Sequence, residues 1–224
     1  MCDCCGGDNT ALNILVLLGP PGGGKGTQAK KIVEEFGYSH FSTGDALREE
    51  VRNHTEIGKQ AQAIMESGEL VPDELLGAMV RGRVEQASGS KGIILDGYPR
   101  TVPQAEFLST FTSDMKVAAV NIAVDQGQIV KRLSGRRFCP DCGTIYNISF
   151  SPPVKEGICD KCGTELSRRK DDYEDVIRER LRVYDEKTQP VVDYYETSGA
   201  YFEVDGNKAP EEVFVEVNNI VSSI

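Results

Sequence analysis

Positive charge is what this 224-residue chain is short of: 25 Lys and Arg stand against 35 Asp and Glu, a formal net charge of −10. A broad basic face for duplex nucleic acid is not expected on that balance, although a local basic pocket is compatible with it. Also missing is any apolar run near the ~20 residues that cross a bilayer, so no membrane partner is expected. Met1-Cys2-Asp3-Cys4-Cys5 has neither the basic nor the apolar region of a secretory signal. A soluble cytoplasmic protein is the expectation. No internal repeat or low-complexity block is present. Only two histidines occur, His40 and His54. Neither has a nucleophile or metal partner spaced with it, so both read as incidental. With 39% hydrophobic and 27% charged residues the chain has the ordinary globular mix. That is apolar material for a full core, in one or two domains, without disulfide staples.

Cysteine is present in an informative pattern. Cys2, Cys4 and Cys5 crowd the N-terminus beside Gly6-Gly7-Asp8-Asn9 and read as a reduced, solvated tail. The other four form Cys139-Pro140-Asp141-Cys142 and Cys159-Asp160-Lys161-Cys162, sixteen residues apart. Two Cys-x-x-Cys pairs at that separation match a zinc site. Gly143 and Gly163 follow each pair, where a tight chain reversal costs glycine least. Four thiolates leave no open coordination position, so the metal is expected to be structural. Zn²⁺ is the expected ion, with Fe(II) or another soft-site metal as the alternative.

Short apolar runs mark the strands. Asn13–Leu18 and Gly92–Asp96, with residues 117–124, have the length and composition of buried parallel strands. Residues 38–41 and 200–204 are weaker candidates. Helical patterns lie between. Leu75, Leu76, Met79, Val80 and Val84 share a face, with Asp73 and Glu74 in the first turn where they suit the helix dipole. Ile177, Leu181, Tyr184, Thr188, Val191 and Tyr195 share another, which Pro190 is expected to kink or break. Strands alternating with helices indicate an α/β fold with a parallel sheet. The expected organisation is a tail (1–12), a core (13–41, 72–134 and 173–224), a helical insert (42–71) and a cysteine-bearing insert (135–172).

Residues 19–27 read Gly-Pro-Pro-Gly-Gly-Gly-Lys-Gly-Thr. The run follows a strand and opens a helix, the context a phosphate-binding loop requires. Glycines let successive N–H groups turn onto phosphate oxygens, and the helix adds its positive end. Lys25 supplies a full charge for the β- and γ-phosphates. The strict pattern has Ser or Thr directly after the lysine; here Gly26 intervenes and the hydroxyl is Thr27.

That form of the loop resembles the one in the adenylate kinase family. Ser42-Thr43-Gly44-Asp45-Ala46-Leu47-Arg48 resembles the family's nucleoside-monophosphate motif. Leu95-Asp96-Gly97-Tyr98-Pro99-Arg100-Thr101, with Gln104, resembles its central signature. Arg136-Arg137 before the cysteine insert, then Arg169-Lys170-Asp171-Asp172 and Arg180, resembles a long zinc-bearing lid. The resemblance implies a P-loop nucleoside monophosphate kinase fold, a five-stranded parallel sheet with an AMP-binding insert and a lid. It implies ATP + AMP = 2 ADP, with Mg²⁺, by a monomer.

By that resemblance Gly22, Gly23, Gly24, Lys25, Gly26 and Thr27 hold the donor phosphates, and Thr27 and Asp96, through water, support magnesium. Arg132, Arg136, Ile145, Tyr146 and the backbone at Lys208 meet the ATP. Thr43, Gly44, Arg48, Glu69, Leu70, Val71, Gly97, Tyr98, Pro99, Arg100 and Gln104 bind AMP, Gln104 offering a donor and an acceptor to the adenine edge. Arg169 and Arg180 bridge both phosphate chains, and Lys25, Arg100, Arg136, Arg169 and Arg180 form the catalytic set. Arginine suits this work because its fork is always charged. Arg137, Arg168 and Arg182 read as surface charges. The lid is expected to hinge at Gly135 and near Asp171 and Asp172. Two alternatives stand beside this reading: a monophosphate kinase with another donor or acceptor, such as GTP with AMP, and a nucleotide-regulated zinc ribbon that binds nucleic acid. The acidic balance and the lack of aromatic–basic interleaving near the cysteines argue against the second.

Overall fold

The computed structural model describes residues 12–87 and 89–224; Cys2, Cys4 and Cys5 lie outside the described residues. The chain runs β1 (Asn13–Leu18), α1 (Lys25–Phe36), β2 (Ser39–Ser42), α2 (Thr43–Arg52), α3 (Glu56–Ser67), α4 (Asp73–Gln86), β3 (Gly92–Asp96) and α5 (Val102–Ser109). It continues through β4 (Lys116–Ala123), α6 (Gln126–Ser134), β5 (Arg136–Phe138), β6 (Ile145–Asn147), α7 (Glu174–Val183), α8 (Gln189–Ser198), β7 (Tyr201–Asp205) and α9 (Pro210–Ser223).

The five-stranded sheet has the order β2-β3-β1-β4-β7 and is parallel throughout. Its centre explains the unbroken apolar run of β1. Ile14, Val16 and Leu18 pack on one face and Leu15 and Leu17 on the other, all 2% exposed or less. A strand covered on both faces has no reason to alternate with polar residues. Helices α4, α5 and α8 cover the first face through Val80, Leu108 and Val191; α1 and α9 cover the second through Ile32 and Val217. The two weak strand candidates are the edges β2 and β7, where pairing on one side only leaves polar residues in the pattern.

Pro190 does not break its helix. The run of α7 continues through a π turn at Tyr184–Thr188 into α8. The proline falls in the first turn of α8, where its missing N–H is harmless, and the wider turn before it takes up the mismatch. Helices α2 and α3 form a hairpin beside the sheet, so close that a Cβ on Gly58 would lie 2.2 Å from the Glu50 carbonyl oxygen. Between α6 and α7 the chain builds a small body around the antiparallel pair β5–β6 and the cysteines.

Candidate active site

The site grows from the C-terminal edge of the sheet, where parallel α/β folds place their ligands. Beyond β1 the loop is wedged between two neighbours. A Cβ on Gly19 would stand 2.6 Å from the Ile122 carbonyl oxygen, and one on Gly22 2.7 Å from Leu133 Cγ. Gly24, with φ 99°, faces open space instead. Helix α1 starts at Lys25 with no side-chain cap and no acidic residue in its first turn. Its first N–H groups therefore remain for an anion.

Lys25 lies folded across the loop. Its Nζ donates to the carbonyls of Gly19 (2.6 Å) and Pro20 (2.8 Å), leaving a third donor for an incoming oxygen. Burial lowers its pKa to about 8; Asp96 opposes the shift, while Arg100, Arg180 and Arg136 add to it. An arriving phosphate would raise it back toward the ordinary value.

Facing this loop across a cleft of about 1130 Å³ are Arg48, Arg100, Arg132, Arg136, Arg169 and Arg180. Several are held by carboxylates. Arg136 makes a forked pair with Asp172 (2.7 and 2.5 Å), a side chain with no exposure at all. Arg180 reaches Asp171 at 2.8 Å and Asp172 at 3.3 Å. Asp45 holds Arg48 at 2.6 Å and Arg169 at 3.6 Å. Arg100 instead donates from Nε to the Gly97 carbonyl at 2.8 Å, and Arg169 keeps a buried Nε without a partner. Burial lowers the pKa of Arg100 and brings Arg169 and Arg180 to about 10. Burial pushes the Asp171 carboxyl up, but Arg180 and Arg136 outweigh it and hold the group below the usual range. Desolvated cations converging on one cleft are suited to a polyanion.

Most residues singled out from the sequence line this one cleft. On one side are Thr43, Gly44, Glu69, Leu70, Val71, Gly97, Pro99 and Gln104; on the other are Gly22, Gly23, Gly26, Thr27, Ile145, Tyr146 and Lys208. Tyr98 is the exception. Its ring is 1% exposed within the core, its hydroxyl donating to the Gln104 carbonyl at 3.2 Å, so its side chain is a packing element. The Tyr98–Pro99 bond is cis. Gln104 is not a free amide either. Its Oε1 accepts from the Arg100 N–H at 2.7 Å and its Nε2 donates to Asp73 at 2.6 Å, which leaves one N–H and one lone pair. Asp73 also accepts from the Thr101 hydroxyl at 3.1 Å. The sequence reading saw Asp73 only as a helix-dipole residue; a partner 31 residues away leaves no local signal.

His40 is not incidental in position: it lines the cleft, with Nε2 3.7 Å from Asp96. His54 is exposed at the end of α2. Arg182 is the expected surface charge, paired with Glu179 and Glu186. Arg137 and Arg168 are half-buried and bonded to backbone, Arg137 to Ser134 and Arg136, Arg168 to Asp172 with its plane over the Tyr173 ring. The hinge expected near Asp171 and Asp172 coincides with these counter-charges.

The four cysteines converge. The sulfurs of Cys139, Cys142, Cys159 and Cys162 all lie within 4.8 Å of one another, and none forms a disulfide. The two knuckles repeat one geometry. Cys139 N–H bonds the Thr144 carbonyl and Gly143 N–H the Cys139 carbonyl; Cys159, Thr164 and Gly163 do the same. A tetrahedron of Zn–S bonds of about 2.3 Å separates its sulfurs by about 3.8 Å, so the cluster fits a metal of that size. The Tyr146 hydroxyl lies 3.4 Å from Cys159 Sγ and lowers the pKa of that thiol.

Magnesium also fits the donors present. Asp96 ends β3 with a 14% exposed carboxylate, and a Cβ on Gly26 would lie 3.6 Å from its Oδ2. A single carboxylate beside a phosphate cradle, with Thr27 lining the same cleft, is the sparse oxygen set that magnesium takes while keeping its waters.

A glycine cradle at the edge of this parallel sheet, with arginines lining the cleft beside it, is the arrangement of a P-loop nucleoside monophosphate kinase fold. Comparison with known proteins narrows the class. Residues 17–200 match the family profile described as adenylate kinase. The adenylate kinase of Archaeoglobus fulgidus is 46% identical over 213 residues, covering 94% of this chain and 98% of that protein. That of Carboxydothermus hydrogenoformans is 47% identical over 208 residues (92% and 97%), and that of Petrotoga mobilis 48% over 212 (93% and 97%). The chain belongs to the adenylate kinase family.

Proposed function

We propose that the enzyme transfers a phosphoryl group reversibly between adenine nucleotides, ATP + AMP = 2 ADP, with ATP on the cradle side of the cleft and AMP on the α2–α3 side. The observation that carries this is that Arg100, Arg136, Arg169 and Arg180 line one cleft together with the glycine cradle and with residues of α2. Two phosphate chains repel each other, and the loose transition state needs fixed positive charge and alignment more than covalent help. The cradle N–H groups and Lys25 hold the donor phosphates. Arg48 and Arg100 hold the acceptor phosphate, and Arg136, Arg169 and Arg180 span both. Thr43, Gly44, residues 69–71, Gly97 and Gln104 seat the AMP. Arg132, Ile145, Tyr146 and the backbone at Lys208 seat the ATP base and ribose. When bound through Asp96 and Thr27, magnesium supplies neutralisation of the donor phosphate oxygens. Zinc in the cysteine cluster supplies rigidity, so that the lid closes as one piece and excludes water from the transfer.

Both subsites lie within one chain, which supports a working monomer. Reduced lid thiols suit the cytoplasm. A coupled assay of ADP formation tests the reading: ATP with AMP gives turnover, and GTP or another monophosphate gives less. Turnover with GTP and AMP but not with ATP would transfer the donor assignment. A salt-dependent nucleic-acid shift without ADP formation would instead favour the zinc-ribbon reading.

Asp73→Ala frees the Gln104 amide. A hydrogen bond to a charged group is worth about 1.5–3 kcal/mol, so KM for AMP should rise about tenfold while KM for ATP holds. Equal changes in both would remove Asp73 from the acceptor side.

A further inference from the structure

The segment 206–210 leaves β7 along the rim of the cleft and enters α9. Three tethers hold it. Gly206 receives Arg132 on its carbonyl at 2.8 Å and donates to Ala123 at 2.8 Å. Asn207 accepts from the Asp125 N–H at 3.1 Å. The third tether comes from the cradle's own helix: Gln28 Nε2 donates to the Pro210 carbonyl at 3.0 Å, across 182 residues of sequence.

Gln28 directly follows Thr27 and is 2% exposed. A carbonyl can only accept, so the amide must present nitrogen to it. The Gln28 Oε1 is thereby turned into the interior, where it is buried without a partner. An unpaired buried acceptor costs stability, and an apolar side chain of the same length would avoid that cost. Packing therefore does not account for the amide, whereas a fixed distance between cradle and rim does.

We propose that Gln28 is a positioning residue for the donor nucleotide: its amide sets the rim at residues 206–210 relative to the phosphate cradle, so that base and phosphates are held in register. The inference rests on the reading that this rim meets the donor base. Gln28→Met keeps the length and removes the bond. A neutral hydrogen bond is worth about 1 kcal/mol, so KM for ATP should rise about fivefold, with KM for AMP and kcat changing less than about twofold. Inorganic tripolyphosphate, which has no base, should inhibit the variant as well as it inhibits the wild type. Gln28→Glu, which sets an acceptor against the Pro210 carbonyl, should show the larger loss for ATP.

Four results would overturn the inference: an unchanged KM for ATP; equal losses for ATP and tripolyphosphate, which would place the effect in the cradle; a common drift of both KM values and kcat with a lowered Tm, which would make the role structural; or a Gln28→Met loss matched by no loss in Gln28→Glu. Ala209→Trp, an exposed position on the same rim, separates this from the underlying reading. If it leaves KM for ATP unchanged, the base does not lie there, and both statements fall. If it raises that KM while Gln28→Met does not, the rim reading stands and the role of Gln28 falls.

Discussion

Lys25→Met is expected to lower kcat by about a hundredfold or more, the usual consequence of removing an oriented charge from a transferring phosphoryl group, while the protein stays folded. A variant keeping more than about a tenth of wild-type turnover would remove Lys25 from its role. The fold should tolerate the change because the lysine is held charged against its surroundings. Its pKa of about 8 lies below the ordinary 10.5. Above pH 8 the unfolded chain therefore binds more protons at this position than the folded one, and stability contributed by this group rises with pH. Below pH 8 the full penalty applies to the wild type. Gly19 and Pro20 lose a donor in the variant, but the Pro20 carbonyl keeps the Gly23 N–H at 3.0 Å and Gly19 lines the cleft. The stability of Lys25→Met relative to wild type should thus be greatest below pH 8 and decline toward pH 10.5, read as Tm across that range.

Removing the metal should act on stability instead. The lid has almost no core: only Cys139, Tyr146 and Cys159 are buried together, with Cys142 and Leu166 against them. Metal binding in such a body is folding free energy. The double variant Cys139→Ser, Cys142→Ser, or treatment with a chelator, should abolish zinc content. Tm should fall by on the order of 10 °C, since ~1 kcal/mol shifts a domain of this size by 2–4 °C. Nucleotide affinity of the protein that remains folded should change little, because none of the four thiols belongs to the cation ring. Metal analysis with calorimetry on one sample checks both statements. A metal-free protein that melts with the wild type would show that the lid holds without its ion.

How much of this was legible in the sequence follows from how local each signal is. The cradle was, because strand, glycines, lysine and helix follow one another in nine residues. So was the cysteine cluster, since each knuckle is a self-contained turn. The buried strands of the sheet were legible from apolar runs that solvent could not have tolerated. The counter-charges were not. Asp171 and Asp172 marked a hinge by their place in the chain, yet their chemistry is to hold Arg180 and Arg136, a choice made by tertiary packing. Asp73 and His40 were missed for the same reason, as was the reach of Asp45 to Arg169. Tyr98 misled in the other direction: it sits inside a binding motif, but neighbouring backbone can face the cleft while the ring turns into the core. Pro190 is expected from sequence to kink or break its helix; the helix is not broken but distorted, through a π turn just before the proline.

Gly22 touches Leu133, and Leu133 is two residues from Gly135, where the lid begins. The floor of the phosphate cradle therefore bears directly on α6, the helix that leads into the cysteine-bearing body. Any side chain at position 22 would jam that contact, and a shortened residue at 133 would leave it slack.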